Sequence, residues 1–232
     1  MTGRFLIVTA LVAGVAATAD AQMCAGSAPF SAGRMRVGIG AEFPEGAKSY
    51  AGGLTWSHGS GAYAGGQLGR YDVNSSAESA MDYQANLGYE MSFDGLRGIR
   101  FCPTGHFGMS KGPDAANAEN STTHYGLGGA FGGVLSSSDN MAIVPSLGIK
   151  WVNASYKTTT TNNQGSNSTT VSDSWMEATL GAGFIINRDV TFAPMVRIPL
   201  NQDGAESSFG FSLSYNFGRS GGVRQQGGKR RR

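Results

Sequence analysis

Thirteen consecutive residues, Met81 to Phe93, alternate without exception between two kinds of side chain. The odd positions are Met, Tyr, Ala, Leu, Tyr, Met and Phe, and the even positions are Asp82, Gln84, Asn86, Gly88, Glu90 and Ser92. A 3.6-residue repeat cannot produce this pattern, whereas a strand with one apolar and one polar face requires it. Phe209–Phe217 repeats the alternation, with Gly210, Ser212, Ser214 and Asn216 between its apolar residues. So does the stretch from Arg34 to Phe43, where Met35, Val37, Ile39, Ala41 and Phe43 share a face. Applied along the chain, the same ruler gives ten strands near 34–43, 49–57, 62–72, 80–93, 98–110, 123–136, 141–156, 174–187, 190–200 and 208–217. No helix follows the N-terminal apolar run. The third strand is ambiguous, because Ala64, Gly66 and Leu68 compete with Tyr63 and Tyr71 for the apolar face. The pair 49–72 is therefore the weakest, and eight strands stay open beside ten.

The composition agrees. Hydrophobic residues make up 40% and aromatics 10%, too rich for a disordered chain. Charged residues make up only 15%, below the roughly 25% of soluble domains. Thirty-six glycines occur without a Gly-X-Y period, which excludes collagen. The connections between strands alternate in kind. Gly59-Ser60-Gly61, Gly95-Leu96-Arg97, Ser138-Asp139-Asn140 and Arg188-Asp189 read as tight turns, whereas 73–79, 111–122, 157–173 and 201–207 are longer and polar. Short turns at one end and long loops at the other predict a closed antiparallel up-and-down transmembrane β-barrel. Aromatics should then form two girdles at headgroup level. The loop-side girdle would hold Phe43, Tyr50, Tyr71, Tyr83, Tyr125, Trp151, Tyr156, Trp175 and Phe209. The turn-side girdle would hold Trp56, Tyr63, Tyr89, Phe93, Phe101, Phe184, Phe192, Tyr215 and Phe217.

The last strand carries a more specific pattern. Ser208-Phe209-Gly210-Phe211-Ser212-Leu213-Ser214-Tyr215, then Asn216-Phe217, resembles the C-terminal assembly signal of the small outer-membrane β-barrel proteins of bacteria. Gly210, Leu213, Tyr215 and Phe217 occupy its key positions. The resemblance implies recognition by the outer-membrane insertion machinery and a place in the outer membrane of a diderm bacterium, with both termini in the periplasm. It covers about residues 34–217 and points to a broad class. This chain departs from the pattern by continuing past Phe217.

Residues 1–21 read as a secretory signal. Arg4 precedes the apolar run Phe5–Ala17, and Ala19-Asp20-Ala21 fits small-x-small cleavage. Thirteen helical residues cover only about 20 Å, too short for a roughly 30 Å hydrocarbon core. Met23 before Cys24 speaks against lipidation. Residues 22–33 form a periplasmic arm, 34–217 the barrel, and 218–232 a basic tail expected to be disordered. The segment Gln22–Gly218 has a net charge of −4 and the remainder +6. Anionic headgroups suit that tail better than nucleic acid in an exported chain. The even cysteine count favours one disulfide, Cys24 to Cys102, over two free thiols. The bridge would pin the arm across the periplasmic mouth.

Inside a bilayer every backbone polar group must be paired, so the sheet closes and its polar face lines the lumen. Arg34, Arg36, Arg100 and Glu90 would cluster at the periplasmic end. Glu42, Asp82, Lys150, Glu177 and Arg197 would cluster toward the outside. Long charged groups in so narrow a barrel predict a plugged lumen. Cofactor-binding, metal-ligating and catalytic patterns are missing from the sequence: no phosphate loop, dinucleotide fingerprint, zinc spacing or calcium loop occurs. His124 at the outer rim could serve a rim enzyme, yet no acidic partner motif accompanies it; His58 falls in a turn. A monomeric barrel with a structural or surface-interaction role is the leading expectation, with loop 157–173 as its exposed region. A narrow porin-like channel and a soluble periplasmic barrel binding an apolar ligand inside are the alternatives.

Overall fold

The computed structural model describes residue 24 and residues 34–58, 60–74, 78–92, 99–114, 117–138, 140–163, 165–187, 189–202 and 205–217. The signal segment 1–21, most of the arm, Phe93, the Gly95-Leu96-Arg97 turn and the basic tail 218–232 lie outside the described residues. Ten long strands form the wall: β1 (Met35–Phe43), β2 (Ala47–Ser57), β3 (Ala62–Val73), β4 (Ser79–Tyr89), β5 (Ile99–Lys111), β6 (Ala118–Gly133), β7 (Met141–Asn162), β8 (Gly165–Ile186), β9 (Val190–Pro199) and β10 (Ser208–Phe217). Two-residue pieces at Met91–Ser92 and Ser136–Ser137 extend the turn ends of β4 and β6. Each strand pairs antiparallel with its neighbours in sequence, and β10 pairs with β1 from Met35↔Phe217 to Phe43↔Phe209. The sheet is therefore closed, with no edge within the ring.

The faces are inverted relative to a soluble domain. Leu87 is 65% exposed, Ile39 62% and Tyr83 50%, all on the outer wall. Asp82 and Asn86, interleaved with them on β4, are 1% and 5% exposed. Leu213 is exposed between half-buried Ser212 and Ser214 on β10. The lumen is thus polar and the outside apolar, which overturns the alternative of a soluble barrel holding an apolar ligand. β2 and β3 pair continuously from Ala47↔Val73 to Ser57↔Tyr63, so the strand number is ten.

Two features differ from expectation. Tyr63, Tyr71, Tyr156 and Trp175 do not join the girdles; they point inward and are buried. Parity explains each case. Tyr63 and Tyr71 share the face of buried Gln67, leaving Ala64, Gly66, Leu68 and Arg70 outside. Trp175 shares the face of Glu177, and Tyr156 that of Lys150. The second difference is segment 157–173, which is not a loop. β7 and β8 are 22 residues each and stay in register up to Asn162↔Gly165. Outward apolar residues end at Trp151 on β7 and Met176 on β8, so about ten residues of each strand project past the band. At ~3.4 Å per residue the hairpin extends roughly 30 Å beyond it.

Candidate functional site

The lumen is built by two-residue periodicity acting on ten strands at once. At the loop end, register sets β7 to β1 side by side: Lys150↔Glu177, Thr179↔Arg197, Arg197↔Ser208 and Glu42↔Gly210. The inward side chains then form one chain of charges. Lys150 Nζ lies 2.8 Å from Glu177 Oε1, and Arg197 Nε lies 3.5 Å from the same oxygen. An Arg197 terminal nitrogen lies 3.3 Å from Glu42 Oε2, and the Ser208 hydroxyl donates to Glu42 Oε1. Two acids and two bases balance, which is the condition under which buried charge is tolerated. Asp82 sits on the inner face of β4, outside this chain. Neither of its carboxylate oxygens has a hydrogen-bond partner among the described residues.

A second layer lies at the turn end. Arg36 Nε donates to Asn216 Oδ1 at 2.6 Å, Arg34 pairs with Asp189 at 3.9 Å, and Arg100 pairs with Glu90 at 3.6 Å. Both layers bridge the seam between the first and last strands. Glu42 on β1 is held by β9 and β10, and Arg36 on β1 is held by β10. Asp189, Asn216 and Ser208 were missed by an accounting of inward charges. Inward parity marked the latter two, while Asp189 carries only a turn signal.

Cys24 and Cys102 are disulfide-bonded, with Cα atoms 6.0 Å apart and both residues 1% exposed. Cys102 is on the inward face near the start of β5, so the bridge lies within the turn end of the lumen. Apolar clusters also line both ends of the lumen. Val152, Ala154, Tyr156 and Trp175 pack together at the loop end, as do Ala47, Tyr71 and Ala80; Val144 and Ile185 pack at the turn end.

Glycines make room for these inward groups. A Cβ at Gly88 would fall 2.3 Å from the Tyr63 hydroxyl oxygen, because the ring lies across that glycine. His124 covers Gly108 and His106 covers Gly126 in the same way, with the two imidazole centroids 5.7 Å apart. His124 is therefore inside the lumen and not at the rim, a consequence of its even parity on β6. His58 Nδ1 contacts Ser60 Oγ at 3.1 Å in an exposed turn. Gly88→Leu should destabilise the barrel by about 1–3 kcal/mol through overpacking, and adding Tyr63→Ala should recover much of it. Urea unfolding of the micelle-folded protein measures both; equal stability of wild type and Gly88→Leu would remove Tyr63 from that position.

Solved structures supply the comparison. The translocator domain of the autotransporter NalP from Neisseria meningitidis matches with a TM-score of 0.52 and 11% identity, covering 82% of this chain and 90% of that one. The β domain of the Bordetella autotransporter Brka matches with a TM-score of 0.52 and 12% identity, covering 81% and 100%. The fold is that of a bacterial outer-membrane β-barrel. No protein-family model matches the chain, and no curated protein does. At these identities the likeness concerns architecture alone. Within the outer-membrane barrel, Leu213, Tyr215 and Phe217 face outward on β10 while Gly210 faces inward beside Glu42.

Proposed function

We propose that this outer-membrane barrel serves as a closed pedestal that displays the β7–β8 hairpin outside the cell. The observation that carries the reading is the continuation of two paired 22-residue strands well past the apolar band. A strand needs only about 9–11 residues to cross the bilayer, so the excess serves something beyond it. The loop end then faces the medium, and the turn end and both chain termini face the periplasm. This agrees with tight connections at one end and longer ones at the other. Residues 1–21 act as the signal, 22–33 as the arm and 218–232 as a periplasmic tail.

The lumen is shut. Inward Tyr63, Tyr71, Tyr156 and Trp175, the two charge layers and the bridged Cys24 support this over a conducting channel. Arg34, Arg36, Glu90 and Arg100 secure the periplasmic mouth; Glu42, Asp82, Lys150, Glu177 and Arg197 serve the outer half. Lipid is the surrounding partner. Lys48, Arg70, Lys111 and Lys157 stand exposed on the outward faces at the loop end, level with or beyond the aromatics, where lipid phosphates lie. The β10 pattern of Gly210, Leu213, Tyr215 and Phe217 serves the insertion machinery, and the barrel works as a monomer in its own membrane. No catalytic role is assigned.

Two measurements test the reading. In planar bilayers the oxidised protein should show no conductance steps, and reduction of the disulfide should raise the frequency of openings. A protease site inserted after Asn163 should be cut on intact cells. Steady unitary conductance of the oxidised wild type would refute the shut lumen, and protection of the inserted site would refute the display.

A further inference from the structure

The outer edge of β8 has an unusual character. β7 is covered on both sides, by β6 up to Ala118↔Thr160 and by β8 up to Asn162↔Gly165. β8 pairs with β9 only from Glu177 onward. Among the described residues, no strand pairs with the other side of Gly165–Trp175. The direction of its backbone groups is fixed at Met176, whose carbonyl accepts from Leu200 N at 2.8 Å and whose N–H donates to Asn201 Oδ1 at 2.5 Å. Both bonds point to the β9 side. By the two-residue period, Ser166, Ser168, Thr170, Ser172 and Ser174 aim their N–H and C=O groups the same way. The Ser174 N–H is partly occupied, since it donates to Asp173 Oδ1 at 2.8 Å.

Exposed edges are normally blunted by charge, proline or a bulge. From Gly165 to Ser172 this edge contains no charged residue and no proline. It is also symmetric. Read in either direction from Thr170, the edge-directed residues are Ser, Ser, Thr, Ser, Ser.

We propose that this edge is a homophilic docking surface, at which two copies of the chain on opposed membranes pair antiparallel about Thr170. The proposal rests on the display of the hairpin outside the cell. Pairing Thr170 with Thr170 of the second copy sets Ser168 opposite Ser172 and Ser166 opposite Ser174. The three central pairs each exchange two ladder hydrogen bonds. Between them Thr169 meets Val171, and Asn167 meets Asp173, so no like charges face each other. The two-fold axis of an antiparallel pair is perpendicular to the strands and so lies in the plane of the membrane. It joins barrels that face each other across a gap, not neighbours in one bilayer, whose edges would run parallel.

Proteoliposomes of the full chain provide the test. Wild-type vesicles should cluster, as read by light scattering. Thr170→Pro should abolish clustering, because it removes an edge-directed N–H and leaves the β7–β8 ladder intact. Vesicles carrying Ser168→Lys with Ser172→Lys should stay dispersed, as should those carrying Ser168→Glu with Ser172→Glu. Mixing those two populations should restore clustering, since each lysine then meets a glutamate across the axis. Every variant should keep the heat-dependent gel mobility of a folded barrel. Dispersed wild-type vesicles, or failure of the mixed charged populations to cluster, would overturn homophilic pairing while leaving the displayed hairpin standing. Failure of the wild type to insert and show the mobility shift would instead sink the membrane reading beneath it.

Discussion

Replacing Arg197 by methionine should cost the barrel about 3–5 kcal/mol, the loss found when one partner of a buried ion pair is removed. Methionine keeps much of the volume, so the effect is electrostatic and not a cavity. Arg197 stands between two carboxylates, 3.3 Å from Glu42 and 3.5 Å from Glu177. Without it, Lys150 is the one base left against two acids in this layer, and among the described residues Glu42 retains the Ser208 hydroxyl as its donor. Arg197→Met combined with Glu42→Gln should regain most of the loss, because Lys150 and Glu177 then remain as a balanced pair. Urea midpoints for folding in micelles give the comparison. If Arg197→Met unfolds at the wild-type midpoint, the loop-end layer is too well hydrated to matter for stability.

The second large effect separates a bilayer from water as the medium around the wall. Leu87→Arg should destabilise the folded state by roughly 2–4 kcal/mol in lipid, the range for a cation near the midplane of a barrel's outer face. Leu87→Asn should cost less than arginine. In a water-soluble barrel both changes would be neutral or favourable, since Leu87 is 65% exposed. Equilibrium folding into thin-chain lipid vesicles measures the difference. Wild-type stability for Leu87→Arg would mean that residue does not contact acyl chains.

Antiparallel order, closure and the sidedness of most residues were legible because burial in this molecule follows one rule along the chain, whereas the choice of ten strands over eight needed the β2–β3 pairing. Met81–Tyr89 displays that rule without interruption, and β10 displays it with a terminal pattern on top. Legibility failed where the rule lost contrast. On β3 the inward residues Tyr63 and Tyr71 are larger and more aromatic than the outward Ala64 and Gly66. The lumen accepts tyrosine when glycine stands opposite, as Gly88 does for Tyr63. Trp175 departs from expectation for a related reason: an aromatic next to the interface suits a girdle, but its parity matches that of Glu177. Lys157 to Asp173 looked like a loop because both faces of the projecting hairpin meet water, and alternation disappears when neither face is buried. Threonine's preference for strands was the remaining signal there. The charge layers were visible as inward charges, but their pairing needed the register between β7 and β1, which no local pattern encodes. The Cys24 bridge could be expected from the count of two, and its position inside the lumen depended on the parity of Cys102.

Strict alternation also sets the kinds of change this wall tolerates. Each strand writes two interleaved messages, one addressed to hydrocarbon and one to the lumen. Deleting a single residue from the middle of β4 would act like a frameshift, sending Asp82 and Gln84 toward acyl chains or Leu87 and Tyr89 toward the charge layers. Length variation in such a chain is therefore confined to its connections and to the projecting hairpin, where the two messages no longer differ.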